Sequence, residues 1–205
     1  MNINRINNND IAFQKQLRAK CHVLKNNRKD YCRIYELEET KPDDVKYFLK
    51  LLNDKSWYLG NAFLSSMNCT MKLKTEGKKK DEKIFVLENL KKECLGYCQI
   101  TDNSHEFNLD FLETKPTYQG TGKKEYKYVG ETIIAFLTSL CKREKREKFD
   151  ISCALDDAVD FYMKKCFFDG KIRRDGCGKL KLDQDKFETM IKSNALHTKG
   201  KMRLK

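Results

Sequence analysis

The feature that most constrains the fold is a strand-like run that leads through a glycine-bearing turn into an amphipathic helix. The run over residues 106–112 is followed by the turn at 116–122, and a helical pattern of apolar residues begins at Val129. Turns of this kind present backbone N–H groups at the N-terminus of a helix, and such groups bind phosphate. The order of the three segments therefore predicts an α/β domain with a site for a phosphate-bearing ligand.

The composition is that of a basic chain whose size suits one folded domain. It has 205 residues, with 42 Lys and Arg against 30 Asp and Glu, which gives a formal net charge of +12. No segment approaches the roughly 20 apolar residues of a membrane span, so we expect no membrane partner. The charge is compatible with nucleic acid, with a polyanionic cofactor or with a solvated surface alone. Nucleic acid is not favoured, because the basic runs are interrupted or terminal and no aromatic residues alternate with them.

The nine cysteines indicate reduced thiols rather than a framework of disulfides. Their number is odd and their spacing irregular, whereas disulfide frameworks are typical of short, secreted, loop-rich chains. Cys94 and Cys98 share one face of a predicted strand, but no Cys-x-x-Cys or histidine pair completes a metal site around them. Residues 1–10 also lack the apolar core of a secretory signal. We therefore expect a cytoplasmic protein without disulfides and without a bound metal.

Hydrophobic periodicity predicts the other elements. Before the glycine turn, Phe107, Leu109 and Phe111 alternate with polar residues, so one face of this strand points to the core and the other to a cleft or to solvent. Further strands are predicted at residues 32–37, 83–88, 94–100, 149–153, 166–170 and 180–182, and helices are predicted to start near residues 42, 129, 156 and 183. This order predicts a mixed, mostly antiparallel central sheet with helices on both faces, a three-layer α/β arrangement.

Two segments resemble the GNAT superfamily of N-acetyltransferases. The turn Q-G-T-G at residues 119–122 is similar to the family's acyl-CoA-binding motif, Q/R-x-x-G-x-G/A. The segment A-V-D-F-Y-M-K-K-C-F at residues 158–167 is similar to the family's later segment, A-x-x-F-Y-x-K-x-G-F. The resemblance covers residues 31–170 and implies a GNAT-like fold and acetyl transfer from acetyl-CoA to an amine.

The sequence departs from the family pattern at two places. Lys124 stands where the second Gly or Ala of the first motif belongs, and Val129 with Gly130 fits that place only if residues 123–128 are an insertion. We favour the insertion, because the helix that follows then lies in the family's register. In the later segment, Cys166 replaces the usual glycine.

The resemblance also implies which residues carry the chemistry. Tyr162 matches the family tyrosine that protonates the departing CoA thiolate. The alternative is a tyrosine whose ring lies in the core and whose hydroxyl is hydrogen-bonded to the backbone. Glu106 and Asp110 are the first candidates for a general base, and Glu113 is the next. For each of them, an equally good interpretation is a carboxylate that only solvates an exposed face of the sheet. The candidate residues for binding acetyl-CoA are Leu112, Glu113, Thr114, Gln119, Gly120, Thr121, Gly122, Val129 and Gly130.

Around the GNAT-like domain of residues 31–170 we predict two flanking segments. Residues 1–30 form an N-terminal extension with a helix over residues 10–25, and residues 171–205 form an appendage of a strand and a helix. The appendage covers a sheet edge or builds a dimer interface, so a monomer and a homodimer both remain open. The basic tail after Leu196 is predicted to be disordered. Residues 59–67 fit either a short helix or a loop.

The acceptor amine is not specified by the sequence. A small molecule, a protein N-terminus or lysine, and an aminoacyl-tRNA each fit the resemblance. The competing interpretation is a non-catalytic GNAT-like module that binds CoA, RNA or a protein partner, because an altered glycine turn can keep the fold while losing acetyl transfer.

Overall fold

Ten strands form one continuous sheet in the computed structural model, which describes residues 15–38, 41–53, 81–115, 125–154, 156–173 and 178–205. The strands are β1 (Gln16–Lys25), β2 (Arg28–Leu37), β3 (Glu82–Asn89), β4 (Cys94–Asp102), β5 (Glu106–Thr114), β6 (Tyr126–Lys127), β7 (Lys148–Ala154), β8 (Asp169–Ile172), β9 (Gly178–Asp183) and β10 (Arg203–Leu204). The helices are α1 (Pro42–Asn53), α2 (Val129–Arg143), α3 (Asp156–Cys166) and α4 (Phe187–His197), and a single 3₁₀ turn (Gln184–Lys186) precedes α4.

The strand order across the sheet is β10-β1-β2-β3-β4-β5-β7-β9-β8, with β6 paired to β1 beside this path. Strands β5 and β7 are parallel, and every other neighbouring pair is antiparallel. The sheet is therefore mixed and mostly antiparallel, which confirms the predicted fold class.

Two apolar clusters lie on opposite faces of this sheet. Strand β3 shows the division, because Phe85 and Leu87 belong to the larger cluster, whereas Ile84 and Val86 belong to the smaller one. Buried residues of α2, α3 and α4 contribute to the larger cluster, and Leu51 of α1 contributes to the smaller one. Burial on both faces explains the unbroken apolar run of residues 84–87 in the middle of β3. The helices thus form two layers around the sheet, as predicted.

The predicted helix over residues 10–25 is wrong for the residues that the structure describes. Gln16–Lys25 is β1, the first strand of a hairpin, joined to β2 through Asn26 and Asn27, whose φ angles are 49° and 64°. Two left-handed residues are what a tight hairpin turn requires, and Asn adopts this conformation readily. Leu17, Cys21 and Leu24 have the spacing of a helix. Ala19, Cys21 and Val23, however, have the alternating spacing of a strand, and all three are buried in the core.

The predicted disorder of the tail after Leu196 is also wrong. Helix α4 ends in a Schellman turn, in which the Gly200 N–H donates to the Ala195 carbonyl at 3.0 Å and Lys199 is left-handed with φ 56°. The chain then forms β10, which pairs with β1 and places Leu204 against the core. Backbone pairing along the open edge of β1 orders this segment despite its basic composition.

The predicted helix start near residue 129 is confirmed, since α2 begins at Val129. Tyr126–Lys127 is the short strand β6 beside β1, and Tyr128 between this strand and the helix is left-handed with φ 66°. Helix α3 continues through Cys166, and the left-handed residue that follows it is Phe167 with φ 63°. The strand predicted at 166–170 therefore begins only at Asp169. The segments 59–67 and 116–124 lie outside the described residues.

None of the helices in the described segments has the length and apolarity needed to cross a membrane.

Candidate active site

Strands β5 and β7 separate after a short parallel contact. Their register pairs are Glu106 with Lys148, Phe107 with Phe149 and Asn108 with Asp150, yet both strands continue well beyond these positions. In the described part of the chain, β5 beyond Asn108 is paired with β4 alone, while β7 is paired with β9. A wedge-shaped opening therefore lies between the C-terminal ends of the two strands. We call this opening the splayed end, and the carboxyl ends of parallel strands are where open α/β sheets bind ligands.

A β-bulge accompanies the separation. Ile100 of β4 pairs with Leu109, but its neighbour Gln99 pairs with Phe111, so Asp110 is one extra residue in β5. The bulge reverses the alternation that follows it, because two residues of β5 oppose one position of β4. Phe111 consequently packs in the smaller cluster on the α1 face, and the prediction that it shares a face with Phe107 and Leu109 is wrong. Bulges also bend the strand that carries them, as the divergence of β5 from β7 requires.

The N-terminus of α2 lies against the splayed end. A Cβ atom on Gly130 would stand 2.9 Å from Cζ of Phe161 and 3.7 Å from the Thr114 methyl, so the absence of a side chain lets the helix approach both residues. Among the described residues, the amide N–H groups of Val129, Gly130 and Glu131 have no acceptor. These N–H groups and the helix dipole make the first turn of α2 a favourable place for an anion.

Thr132 fixes the position of this helix start. Its side-chain hydroxyl donates to the backbone carbonyl of His22 on β1 at 3.2 Å and accepts from the amide of Asn194 on α4 at 3.1 Å. Thr132 and Asn194 are both buried, so each hydrogen bond is protected from water. The first turn of α2 is thereby tied to the sheet and to α4.

Tyr162 lies on α3, beneath the part of β4 and β5 that borders the splayed end. The thiols of Cys166 and Cys98 are its electrostatic neighbours, and Cys98 is the register partner of Leu112 on β5. Burial, with a smaller effect of these two thiols, raises the pKa of Tyr162, so the phenol is protonated at neutral pH. Its hydroxyl has no hydrogen-bond partner among the described residues. The alternative, in which this hydroxyl is hydrogen-bonded to the backbone, is therefore not found in the described part of the chain.

Glu113 and Tyr97 form a hydrogen-bonded pair on the α1 face of the splayed end. The two residues are register partners on β5 and β4, and the Tyr97 hydroxyl donates to Oε2 of Glu113. Burial raises the pKa of Glu113, and the hydrogen bond from Tyr97 opposes the rise. The second oxygen, Oε1, is buried without a hydrogen-bond partner in the described part of the chain. Glu113 is therefore a half-buried carboxyl group, and one of its oxygens is unpaired as far as the described residues go.

Glu106 is not brought to the splayed end. It lies at the closed end of the wedge, where its Oε2 is 2.5 Å from Nζ of Lys148. The seven residue steps from Glu106 to Glu113 correspond to about 23 Å of extended strand. An ion-paired carboxylate so far from the opening is badly placed to accept a proton there.

Asp110 lies nearer, at the bulge, but its carboxylate oxygens are already hydrogen-bonded. The Thr101 hydroxyl donates to Oδ2 at 2.8 Å, and the Asn108 amide donates to Oδ1 at 2.6 Å. The Ser152 hydroxyl of β7 in turn donates to the Asn108 side chain at 2.6 Å. This hydrogen-bonded chain links β4, β5 and β7 where the two parallel strands begin to part, so we assign Asp110 a structural position.

The sequence alone singled out neither Tyr97 nor the Asn108–Ser152 contact. In the sequence, Tyr97 has the pattern of an ordinary apolar residue in a buried strand. Only the register of β4 with β5 places it opposite Glu113. The candidate residues Gln119, Gly120, Thr121 and Gly122 lie outside the described residues. In the segments that are described, no group of three or more His, Cys, Asp and Glu side chains is arranged to hold a metal ion.

Sequence comparison finds no protein-family model that matches the chain and no curated protein that matches it. Comparison of structures does find neighbours. A mutant of spermidine N-acetyltransferase SpeG from Vibrio cholerae is 17% identical, with a TM-score of 0.50, over 76% of this chain and 95% of that chain. A chimera of Vibrio cholerae SpeG and hSSAT is 16% identical, with a TM-score of 0.54, over 77% of this chain and 98% of that chain.

A third neighbour is the Campylobacter jejuni N-acetyltransferase PseH in complex with acetyl coenzyme A. It is 13% identical, with a TM-score of 0.50, over 75% of this chain and 99% of that chain. The likeness thus spans nearly the whole of each neighbour, and at these identities it concerns the fold. Together with the parting of β5 from β7 beside the start of α2, it shows that the chain has the fold of the GNAT N-acetyltransferases.

Proposed function

We propose that this protein is an acetyl-CoA-dependent N-acetyltransferase in which an acceptor amine attacks the thioester directly. The observation that carries the proposal is the splayed end of β5 and β7, which opens beside the N-terminus of α2 and above Tyr162. The neighbours in fold, among them one that binds acetyl coenzyme A, support the same activity.

The residues at the splayed end suit a ligand with a pyrophosphate group and a long amide-containing arm. The free N–H groups of Val129 and Gly130 at the start of α2 would bind the pyrophosphate, together with the glycine turn at residues 119–122. The edge of β5 over residues 112–114 has no strand partner on the β7 side among the described residues, so its backbone would bond to the pantetheine arm. A backbone N–H on this edge would also stabilise negative charge on the thioester oxygen during attack.

We assign the general base to Glu113 rather than to Glu106 or Asp110. The amine must lose a proton to attack, and a carboxylate accepts one best when its pKa lies close to the working pH. Burial raises the pKa of Glu113 toward that range, and its Oε1 is without a partner among the described residues. Glu106 is held in an ion pair with Lys148, and Asp110 is held by two hydrogen bonds.

We assign the general acid to Tyr162. The departing CoA thiolate needs a proton, and a protonated phenol next to the opening can supply it. The hydroxyl of Tyr162 is free of partners in the described part of the chain, and its raised pKa keeps it protonated until the thiolate forms. Glu113 and Tyr162 would then act from opposite faces of the sheet, one on each side of the reacting carbon.

As acceptor we propose a small amine that carries little positive charge of its own. Two of the neighbours are named as spermidine acetyltransferases, and spermidine is a polycation. A formal net charge of +12 repels polycations, so a monoamine or an amine with an acidic group suits this protein better. A protein amine and an aminoacyl-tRNA are the alternative acceptors.

Acetyl-CoA binding tests the site before any acceptor is known. We expect micromolar acetyl-CoA to raise the melting temperature and to slow amide hydrogen exchange at residues 109–114 and 129–132, since a ligand that binds only the folded state stabilises it. Free acetate at the same concentration is the control. Stabilisation and protection without acetyl transfer to any amine would favour a non-catalytic CoA-binding module, and the absence of both effects would contradict the proposal.

A further inference from the structure

A second concave site lies toward the other edge of the sheet, where β1 and β2 meet the C-terminal end of α4. It is a pocket of about 780 Å³, within the size range of sites for small ligands. Of the described residues that line it, five are cationic and none is acidic; the cations are Lys20, Lys29, Lys199, Lys201 and Arg203. We call it the basic pocket. Strand β1 lies four strand positions from β5, about 19 Å along the sheet, so the pocket is separate from the splayed end.

Within the described segments, the five cations have no acidic counterparts. None of them makes an ion pair with any residue that the structure describes, whereas other cations do pair, for example Lys25 with Glu125 and Lys181 with Asp183. Clustered cations without counterions repel one another and create a positive potential in a concave site. Such a potential attracts an anion that carries several charges.

Lys199 occupies a position where glycine is the favoured residue. It is the left-handed residue of the Schellman turn, with φ 56°, and a side chain there costs about 1 kcal/mol relative to glycine. The turn directs Lys199 and Gly200 to the mouth of the pocket, and Gly200 lies so close to His22 that a Cβ atom would stand 2.3 Å from Nδ1. The protein thus keeps a positive charge at a position where glycine would be more stable.

His22 and Tyr31 add a polar and an aromatic group to the pocket. Both ring nitrogens of His22 are buried without a partner among the described residues. Burial lowers the pKa of His22, with further lowering by Lys29 and Arg203, so the ring is neutral at pH 7 and keeps one N–H donor. The Tyr31 ring packs against His22 at a centroid distance of 4.5 Å, and Nζ of Lys29 lies 5.7 Å from its centroid. The residue remains 56% exposed, which leaves a surface for stacking.

We propose that the basic pocket binds the phosphate groups of a nucleotide, either free or within an RNA strand, with the Tyr31 ring as the stacking surface for its base. Lysine and arginine bind phosphate through their positive charge and their hydrogen-bond donors. Any nucleic-acid base can stack on an exposed tyrosine, whatever the nucleotide sequence. An acidic peptide would use the cations equally but would leave the Tyr31 ring without a planar partner.

Two titrations of the full-length protein test the proposal, one with ATP by calorimetry and one with a labelled single-stranded RNA by fluorescence anisotropy. The pocket variant replaces Lys20, Lys201 and Arg203 with Gln, and the matched control replaces the exposed Lys91, Lys171 and Lys179 with Gln. We expect the pocket variant to bind at least about tenfold more weakly, with a salt dependence reduced by about 0.7 in slope per lost phosphate contact on RNA. We expect the control to change affinity by less than about twofold.

Lys199→Gly separates binding from folding. Because glycine relieves the left-handed position, this variant should fold at least as stably as the wild type while losing affinity. Binding of ATP alone would identify a free nucleotide as the ligand, and binding of RNA alone would identify a strand; either result supports the proposal. It is overturned if neither probe binds at micromolar concentration, or if the pocket variant and the control lose affinity equally, which would indicate general attraction to a basic surface.

Discussion

The hydroxyl of Tyr97 donates a hydrogen bond to Oε2 of Glu113 across the β4–β5 pair, while Oε1 of the same carboxyl group is buried without a partner in the described part of the chain. Burial raises the pKa of Glu113 and the hydrogen bond opposes this rise. Tyr97 therefore holds one oxygen of the Glu113 carboxyl group, and in the proposed mechanism the other oxygen is the one that accepts the proton of the amine. The pair lies on the α1 face, where β5 has already parted from β7.

The first prediction concerns the pH dependence of acetyl transfer. Only the ionised form of Glu113 accepts a proton, and its pKa is raised, so kcat/KM should increase with pH through a range above the ordinary range of a glutamate. Glu113→Gln should lower kcat/KM by about 10² or more and remove this rising limb.

Glu106→Gln is the matched control, because it neutralises a carboxylate on the same strand at the closed end of the wedge. The rising limb should survive in this variant. If Glu113→Gln keeps the limb and Glu106→Gln loses it, the assignment of the base is wrong.

The second prediction concerns stability. A carboxyl group with a raised pKa binds its proton more tightly in the folded state, so this group favours folding at low pH and its contribution is lost as pH rises through the folded-state pKa. Glu113→Gln should remove this decline, and urea unfolding at a series of pH values measures it. A decline with the same size and position in Glu113→Gln and wild type would show that other groups cause it.

The third prediction concerns Tyr162. Tyr162→Phe removes the proposed proton donor but keeps the ring that packs against Phe161 and Phe168 at centroid distances of 5.1 and 5.8 Å. Turnover should fall by about 10² while the affinity for acetyl-CoA stays within about twofold. Steady-state kinetics and calorimetry measure the two quantities separately, and unchanged turnover would remove Tyr162 from the mechanism.

The fourth prediction concerns the contact between α2 and α3. Gly130→Ala places a methyl group 2.9 Å from the Phe161 ring, which should destabilise the fold by about 1–3 kcal/mol and weaken acetyl-CoA binding as the helix start moves. Adding Phe161→Leu makes room and should restore part of both losses, as a double-mutant cycle would show. Strictly additive losses in the double variant would mean that the two positions do not interact.

Much of the fold follows from local sequence signals. The alternation of Phe107 and Leu109 and the helical pattern from Val129 reflect burial along a single element, and the structure has both. The strand β1 was not predicted because its apolar residues fit two periods at once. The turn residues Asn26 and Asn27, which favour left-handed conformations, were the signal that distinguishes a hairpin.

Features that depend on contacts between distant segments could not be predicted in this way. The bulge at Asp110 moves Phe111 to the other face of the sheet, and no local pattern in the sequence of β5 predicts this bulge. The order of the tail depends on pairing of Arg203 and Leu204 with β1, far away in the chain. The pairing of Tyr97 with Glu113 likewise depends on strand register, so the sequence indicated the carboxylates but not which of them lies at the opening.

Transfer of an isotopically labelled acetyl group tests the central claim most directly. The full-length protein is incubated with labelled acetyl-CoA and a panel of small amines, peptides and aminoacyl-tRNA, and mass spectrometry detects the acetylated acceptor while a thiol reagent measures free CoA. We expect stoichiometric labelling of a small amine and release of CoA by the wild type, with at least about 10²-fold slower transfer by Glu113→Gln and Tyr162→Phe. Absence of transfer to every acceptor by a protein that binds acetyl-CoA, or equal transfer by the wild type and both variants, would contradict the account.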